Sequence, residues 1–280
     1  MSAASMDKSV QRQKAEALAA LHREPGAFII PNPWDAGTAH LLAQAGFKAL
    51  ATTSAGCAFF KGKKDNTLGR EAILANAKLI VEATPLPVSA DLENGFGDSP
   101  ESVVETIQAA IGIGLAGGSI EDSNSHSKNP VYDIELAADR IRAAAESIQT
   151  NGAHFVLTGR AENYLMGKPD IKDTIKRLQA YQEAGAEVLY APGITRAEDI
   201  SAIVSSVDRP LNVVMGLAGA NFTVKQLAGL GVKRISIGSA LARAALGAVM
   251  RAIDEMQGEG SFHFAEQAVN YGEISAKLAD

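Results

Sequence analysis

Cysteine is almost missing from this sequence: Cys57 is the single one in 280 residues, which excludes an intrachain disulfide framework. Such usage suits a reducing compartment, and a cytoplasmic location is the expectation. Long apolar runs are missing too. None approaches the ~20 residues that cross a bilayer, so no membrane partner is expected. Residues 1–26 mix charge with alanine and lack the apolar centre of a secretory signal. Positive charge is not in excess either. The 26 Lys and Arg against 32 Asp and Glu leave a formal charge of -6, which disfavours a nucleic-acid partner.

What is present is an ordinary globular composition, 46% hydrophobic and 21% charged, with a strong alternation of two patterns. Short apolar runs that read as strands begin near residues 28, 49, 87, 118, 154, 187, 211 and 234. Helical patterns follow them at residues 35–45, 69–83, from Ser99-Pro100 onward, 134–148, 170–184, 196–204, 223–229 and 240–256. Eight such units without a composition break predict one (β/α)8 barrel of the TIM type, which needs about 250 residues. An open doubly wound sheet is the competing arrangement. The first turn, Asn32-Pro33-Trp34-Asp35, has no glycines to cradle a pyrophosphate and argues against it. A single domain over 1–280 is expected, with an extra N-terminal helix in 1–26 and a C-terminal helical tail in 258–280. Phe262, Phe264, Ala268 and Ile274 in that tail read as a contact onto the barrel or another subunit.

In such a barrel, polar residues at strand C-termini mark the active site. They concentrate on the first five strands: Asn32, Trp34 and Asp35; residues 52–56; residues 91–95; Glu121 and Asp122; and residues 159–163. Asp91, Glu93, Glu121 and Asp122 are four carboxylates from two adjacent strands. Their mutual repulsion calls for a cation, and Mg²⁺ or Mn²⁺ suits oxygen donors. The structural alternative is pairing with Arg160 or helix capping. Arg160, on the fifth strand, is suited to a two-pronged grip on a carboxylate. The small-residue stretch Thr53-Ser54-Ala55-Gly56 offers backbone N–H groups to an anionic oxygen.

These strand ends, in this order, resemble the isocitrate lyase and phosphoenolpyruvate mutase superfamily. The stretches that carry the resemblance are Asn32-Pro33-Trp34-Asp35-Ala36, Thr53-Ser54-Ala55-Gly56, Ala90-Asp91-Leu92-Glu93-Asn94-Gly95-Phe96-Gly97, Ile120-Glu121-Asp122 and Gly159-Arg160-Ala161-Glu162, within residues 28–242. The resemblance implies Mg²⁺ held by Asp91, Glu93 and Glu121, partly through water, with Glu93 standing where an aspartate is usual. It implies substrate contacts from Trp34, Ser54, Ala55, Gly56, Asp91, Arg160 and Glu162, and a functional Asp65 beyond the strand 2 loop. It also implies chemistry beside an α-oxo acid, with a pyruvate enolate as intermediate. Paired subunits that swap a last helix are common in the family, so a homo-oligomer, a dimer of dimers, is expected.

One departure limits the reading. Members that cleave isocitrate or methylisocitrate carry a Lys-Lys/Arg-Cys-Gly-His motif in the loop after strand 4. Here the segment reads Glu121-Asp122-Ser123-Asn124-Ser125-His126-Ser127-Lys128-Asn129-Pro130, without cysteine. Cleavage of those two substrates by the usual route is therefore not expected. His126, Lys128 and Asn129 are the loop's candidates for proton transfer or anion contact. A lyase or decarboxylase acting on a small α-oxo or 2-hydroxy carboxylate leads. Phosphorus–carbon chemistry, a non-catalytic metabolite binder, and a phosphate site at residues 216–221 with Gly238-Ser239 remain as alternatives.

Overall fold

The computed structural model describes residues 8–125 and 127–278. The chain opens with α1 (Lys8–Leu21), followed by β1 (Phe28–Ile30), α2 (Ala36–Gln44), β2 (Leu50–Ala51), α3 (Ser54–Phe60) and α4 (Arg70–Glu82). Next come β3 (Val88–Asp91), α5 (Pro100–Gly112), β4 (Gly117–Glu121), α6 (Ile134–Thr150), β5 (Val156–Arg160) and α7 (Ile171–Glu183). The last units are β6 (Val188–Tyr190), α8 (Ala197–Val204), β7 (Leu211–Val214), α9 (Val224–Gly229), β8 (Arg234–Ser236) and α10 (Ala240–Gly258).

All eight strands are parallel, in the order β1-β8-β7-β6-β5-β4-β3-β2. The remaining seam is bridged where the Ala51 N–H donates to the Pro31 carbonyl at 3.0 Å. The sheet is thus a (β/α)8 barrel, as the count of units predicts. The cap expected from the sequence holds: Ser99 caps α5 with Pro100 at its first position; the structure adds Asp35, which caps α2 in a reciprocal box with Thr38.

Three local readings are corrected. The fifth strand runs two residues further along than expected, ending on Arg160 rather than before it. Gly159 sits inside it because a Cβ there would come within 2.9 Å of Tyr181 on α7. The stretch after β2 is not a loop but the start of α3, capped by Thr53. The tail divides into a 3-10 turn (His263–Gln267) and a short helix, α11 (Tyr271–Lys277).

The N-terminal helix plugs the barrel's bottom. Ala15, Leu18, Ala19 and Leu21 pack against Ile30, Ala49, Ala51, Ala116, Val156 and Val188, while Gln11 donates to the carbonyls of Leu115 and His154 at 2.8 Å each. The larger core lies between the strands and the outer helices. That leaves the C-terminal mouth as the open end. Among the described residues no helix is long and apolar enough to cross a membrane.

Candidate active site

A cavity of about 250 Å³ opens at the C-terminal mouth. Asp91 ends β3, Glu121 ends β4 and Arg160 ends β5, and the parallel register places these strand ends side by side. Arg160 Nη1 stands 3.4 Å from Asp91 Oδ1 and 3.3 Å from Glu121 Oε2, and its Nε donates to Glu162. The guanidinium is buried, which works against its charge; Glu162 and Glu121 more than offset that and hold its pKa above the usual range. Arg160 is therefore paired with three carboxylates through Nε and Nη1.

Ser54 fixes the opposite side of Asp91. Its N–H and hydroxyl both approach Asp91 Oδ2, at 3.2 and 2.9 Å, and its Oγ lies 3.2 Å from Asp65 Oδ1. Asp65 thus joins the cavity wall from beyond α3. Burial and the nearby Asp91 charge raise its pKa. Glu93 takes a left-handed backbone, φ 48°, uncommon for its type, and lies in a small side chamber with Glu121 and Asn124. Burial, then Asp91 and Asp65, push its carboxyl up to about 8. Burial likewise raises Glu121 against the pull of Arg160.

Other sequence candidates fall elsewhere. Asp122 turns away from the cavity: its Oδ2 pairs with Arg177 at 2.9 Å and accepts from the Tyr181 hydroxyl at 2.5 Å. It holds α7 to the barrel, so the four-carboxylate cluster loses one member. Trp34 and Gly56 line a separate groove against α10, and the Gly56 N–H is spent on the Thr53 cap at 3.2 Å. Ala55 does line the cavity. Lys128 and Asn129 do not reach it; Asn129 instead accepts from Lys168 at 2.7 Å. His126 lies outside the described residues. The Gly238 N–H, a candidate phosphate donor, is taken by Asn32 Oδ1 at 3.0 Å.

Sequence reading placed the site on strands 1–5 and missed the far wall. Tyr190, Asn212, Arg234 and Ser236 also line the cavity, with Leu165, Met166 and Leu217 as its apolar part. The available signal was a polar side chain at inward positions of short apolar runs, Asn212 and Arg234 above all.

Among the described residues no three His, Cys, Asp or Glu side chains form a ready metal nest. The donor set nevertheless suits a hard divalent ion. Asp65, Asp91, Glu93, Glu121 and Glu162 cluster near Arg160, and burial first, with neighbouring carboxylates adding to it, raises Glu93 and Glu121.

A parallel barrel with acidic groups and an arginine at its strand C-termini has the arrangement of a barrel enzyme, whose active site lies at that face. The phosphoenolpyruvate phosphomutase family model matches residues 18–257, and the chain belongs to that family, within the isocitrate lyase and phosphoenolpyruvate mutase superfamily. A crystal structure from Burkholderia cenocepacia J2315, described as of the lyase/mutase kind, is 54% identical with a TM-score of 0.94, covering 97% of this chain and 98% of that one. The 2-methylisocitrate lyase of Escherichia coli K12 is 31% identical over 198 residues, 67% of this chain and 66% of that protein. The oxaloacetate decarboxylase of Bradyrhizobium diazoefficiens is 26% identical over 286 residues, 96% and 97% of the two chains.

Proposed function

We propose that the protein is a Mg²⁺-dependent lyase or decarboxylase that breaks a carbon–carbon bond next to the oxo or hydroxy carbon of a small carboxylate. The observation that carries this reading is the meeting of Ser54 and Arg160 on one carboxylate, Asp91, with Glu121 beside it at the barrel mouth. The oxaloacetate decarboxylase and 2-methylisocitrate lyase relatives support carbon–carbon cleavage. Phosphorus–carbon chemistry is less well supported. Asn124 and Asn129, either of which a mutase-type loop would recruit, are engaged by Asp98 at 2.8 Å and by Lys168 at 2.7 Å.

Asp91, Glu93 and Glu121 are the residues that would hold Mg²⁺. When bound, the ion polarises the substrate's oxo group as a Lewis acid. Ser54 keeps Asp91 oriented, and Arg160 spreads its positive charge over the carboxylates that surround the reacting carbon. Leu165 and Met166 give one side of the cavity an apolar wall. From an oxo diacid the distal carboxylate leaves as CO₂, and the electron pair of the broken bond passes onto the oxo oxygen as an enolate. From a 2-hydroxy acid the hydroxyl gives up its proton, its carbon departs as the carbonyl of an oxo acid, and the pair stays on the other fragment as its carboxylate-stabilised enolate. In either case a proton then adds at carbon. Asp65, raised by burial and next to Ser54, is placed to carry that proton.

Pyruvate release, coupled to NADH oxidation, tests this with oxaloacetate, phosphonopyruvate and alkylmalates, with Mg²⁺ and with EDTA. Metal-dependent release from oxaloacetate or an alkylmalate is expected. Release from none of them overturns the reading, and release from phosphonopyruvate alone moves it to phosphorus–carbon cleavage.

Self-association is part of the same proposal. Leu246, Val249, Met250, Ile253 and Met256 form an exposed apolar stripe along α10, continued by Phe60 on α3 and Phe262 in the tail. A contiguous stripe of this kind on a globular chain suits a second copy of the protein.

A further inference from the structure

Two guanidinium groups reach the cavity at the barrel mouth, and their electrostatic situations are opposite. Arg160 is held by Asp91, Glu121 and Glu162. Arg234, the first residue of β8, faces no carboxylate within ion-pair distance among the described residues. It is only 5% exposed, and its side chain reaches across the barrel lumen. There it makes two long contacts, 3.5 Å to Thr158 Oγ1 on β5 and 3.4 Å to Ser89 Oγ on β3. Its Nε has no partner at all.

Asn212 on β7 pairs in register with Arg234 and is 1% exposed. Its Nδ2 donates to Ser236 Oγ at 3.1 Å, while its Oδ1 has no partner. Turning the amide over lets Ser236 donate instead and leaves the NH₂ group as the buried, unpartnered end. Both residues line the cavity. In barrels of this type such interior layers are filled by branched apolar side chains. A buried cation without a counter-charge, beside an unpaired amide, is costly and asks for a ligand.

The register gives the depth. Ser89 and Thr158 lie two residues before Asp91 and Arg160 on the same inward faces. Arg234 therefore reaches one layer below the carboxylate ring, a separation of about 6–7 Å along the strands. Burial pulls its pKa down to about 10, which still leaves it charged at neutral pH.

We propose that Arg234 and Asn212 form an anion subsite on the floor of the cavity, which binds a second planar oxyanion, a carboxylate or a bicarbonate, beneath the group held at the mouth. The inference rests on the carboxylate reading of the cavity and narrows it: the substrate is a short diacid, or an acid that reacts alongside such an anion. Arg160, already neutralised by three carboxylates, does not supply this grip.

Calorimetric titration of the full-length protein with Mg²⁺ tests the subsite, using malonate, bicarbonate and pyruvate as unreactive probes. The variants are Arg234→Met and Asn212→Asp. The second sets a carboxylate beside Arg234 at almost no change in volume, so it blocks the subsite and raises Tm. In both variants malonate or bicarbonate is expected to bind about tenfold or more weakly, with pyruvate little changed. Malonate that excludes pyruvate assigns the anion to the substrate's own second carboxylate; bicarbonate that binds alongside pyruvate assigns it to a separate species. Either supports the subsite. Unaltered malonate and bicarbonate affinities, or equal weakening for pyruvate, overturn it. If Arg234→Met does not fold, Asn212→Asp decides alone. Failure of the lyase reading would look different: no product from any acid, with these binding differences intact.

Discussion

Ser54 gives both its backbone N–H and its hydroxyl to a single oxygen, Asp91 Oδ2, at 3.2 and 2.9 Å. The start of α3 is thereby tied to the end of β3, and one carboxylate oxygen is fixed while the other faces Arg160. A carboxylate held in this way has little freedom left to lose when it binds a ligand.

Removing that hydroxyl should loosen Asp91 without unfolding anything. Ser54→Ala is expected to weaken Mg²⁺ binding or activity by roughly 10–100-fold, the usual cost of losing an outer partner of a metal ligand. Mg²⁺ titration followed by calorimetry measures it. Wild-type affinity in the variant would separate Asp91 from the metal.

Arg160→Ala probes a different link. The change strips the one cation from Asp91, Glu121 and Glu162, of which Glu162 is only 2% exposed. Breaking a buried ion pair from one side costs about 3–5 kcal/mol. Urea unfolding should therefore show a clear loss of stability together with lost activity. A fully stable but inactive variant would instead assign Arg160 to the substrate alone.

The apolar stripe on α10 makes a prediction about assembly. Sedimentation of the wild type is expected to show a dimer or larger species, and Met250→Glu, at a position 64% exposed, should shift it toward monomer with the fold intact. A wild-type monomer at micromolar concentration would remove this surface from consideration.

His22, below the barrel floor, sets an acid limit. Burial first, then Arg234 and Arg23, lower its pKa to about 3 from 6.5, while its bond to the Leu18 carbonyl at 2.9 Å acts in the opposite sense. The folded state thus holds His22 neutral where the unfolded chain protonates it. The contribution is complete above pH 6.5 and falls as the pH drops from there toward 3, by up to about 1.4 kcal/mol per unit. In His22→Gln, which keeps a donor for Leu18, that slope should be missing. Denaturant unfolding at pH 7, 6 and 5, compared between the two proteins, isolates it. Equal slopes would mean that His22 takes up its proton in the fold as readily as in the unfolded chain.

What the sequence determined by itself was everything set by neighbours along the chain. The alternation of apolar runs and helical patterns, the Ser99-Pro100 cap, and the strand-end position of Asp91, Glu121 and Arg160 depend on local periodicity and capping, so they could be read directly. Which way a strand-end side chain faces is not local. Asp122 follows Glu121 directly, yet the strand's alternation turns it outward, where only the packed α7 supplies Arg177 and Tyr181 as partners. Gly56 and Trp34 moved off the site because residues 54–60 wind into a helix whose Gly56 N–H is spent on the Thr53 cap and whose side toward α10 carries Gly56 and meets Trp34. Arg234 meets Ser89 across 145 residues of sequence. Only closure of the barrel brings such distant inward faces into one lumen, and there the pairing of each buried charge, or its lack of a pair, is decided.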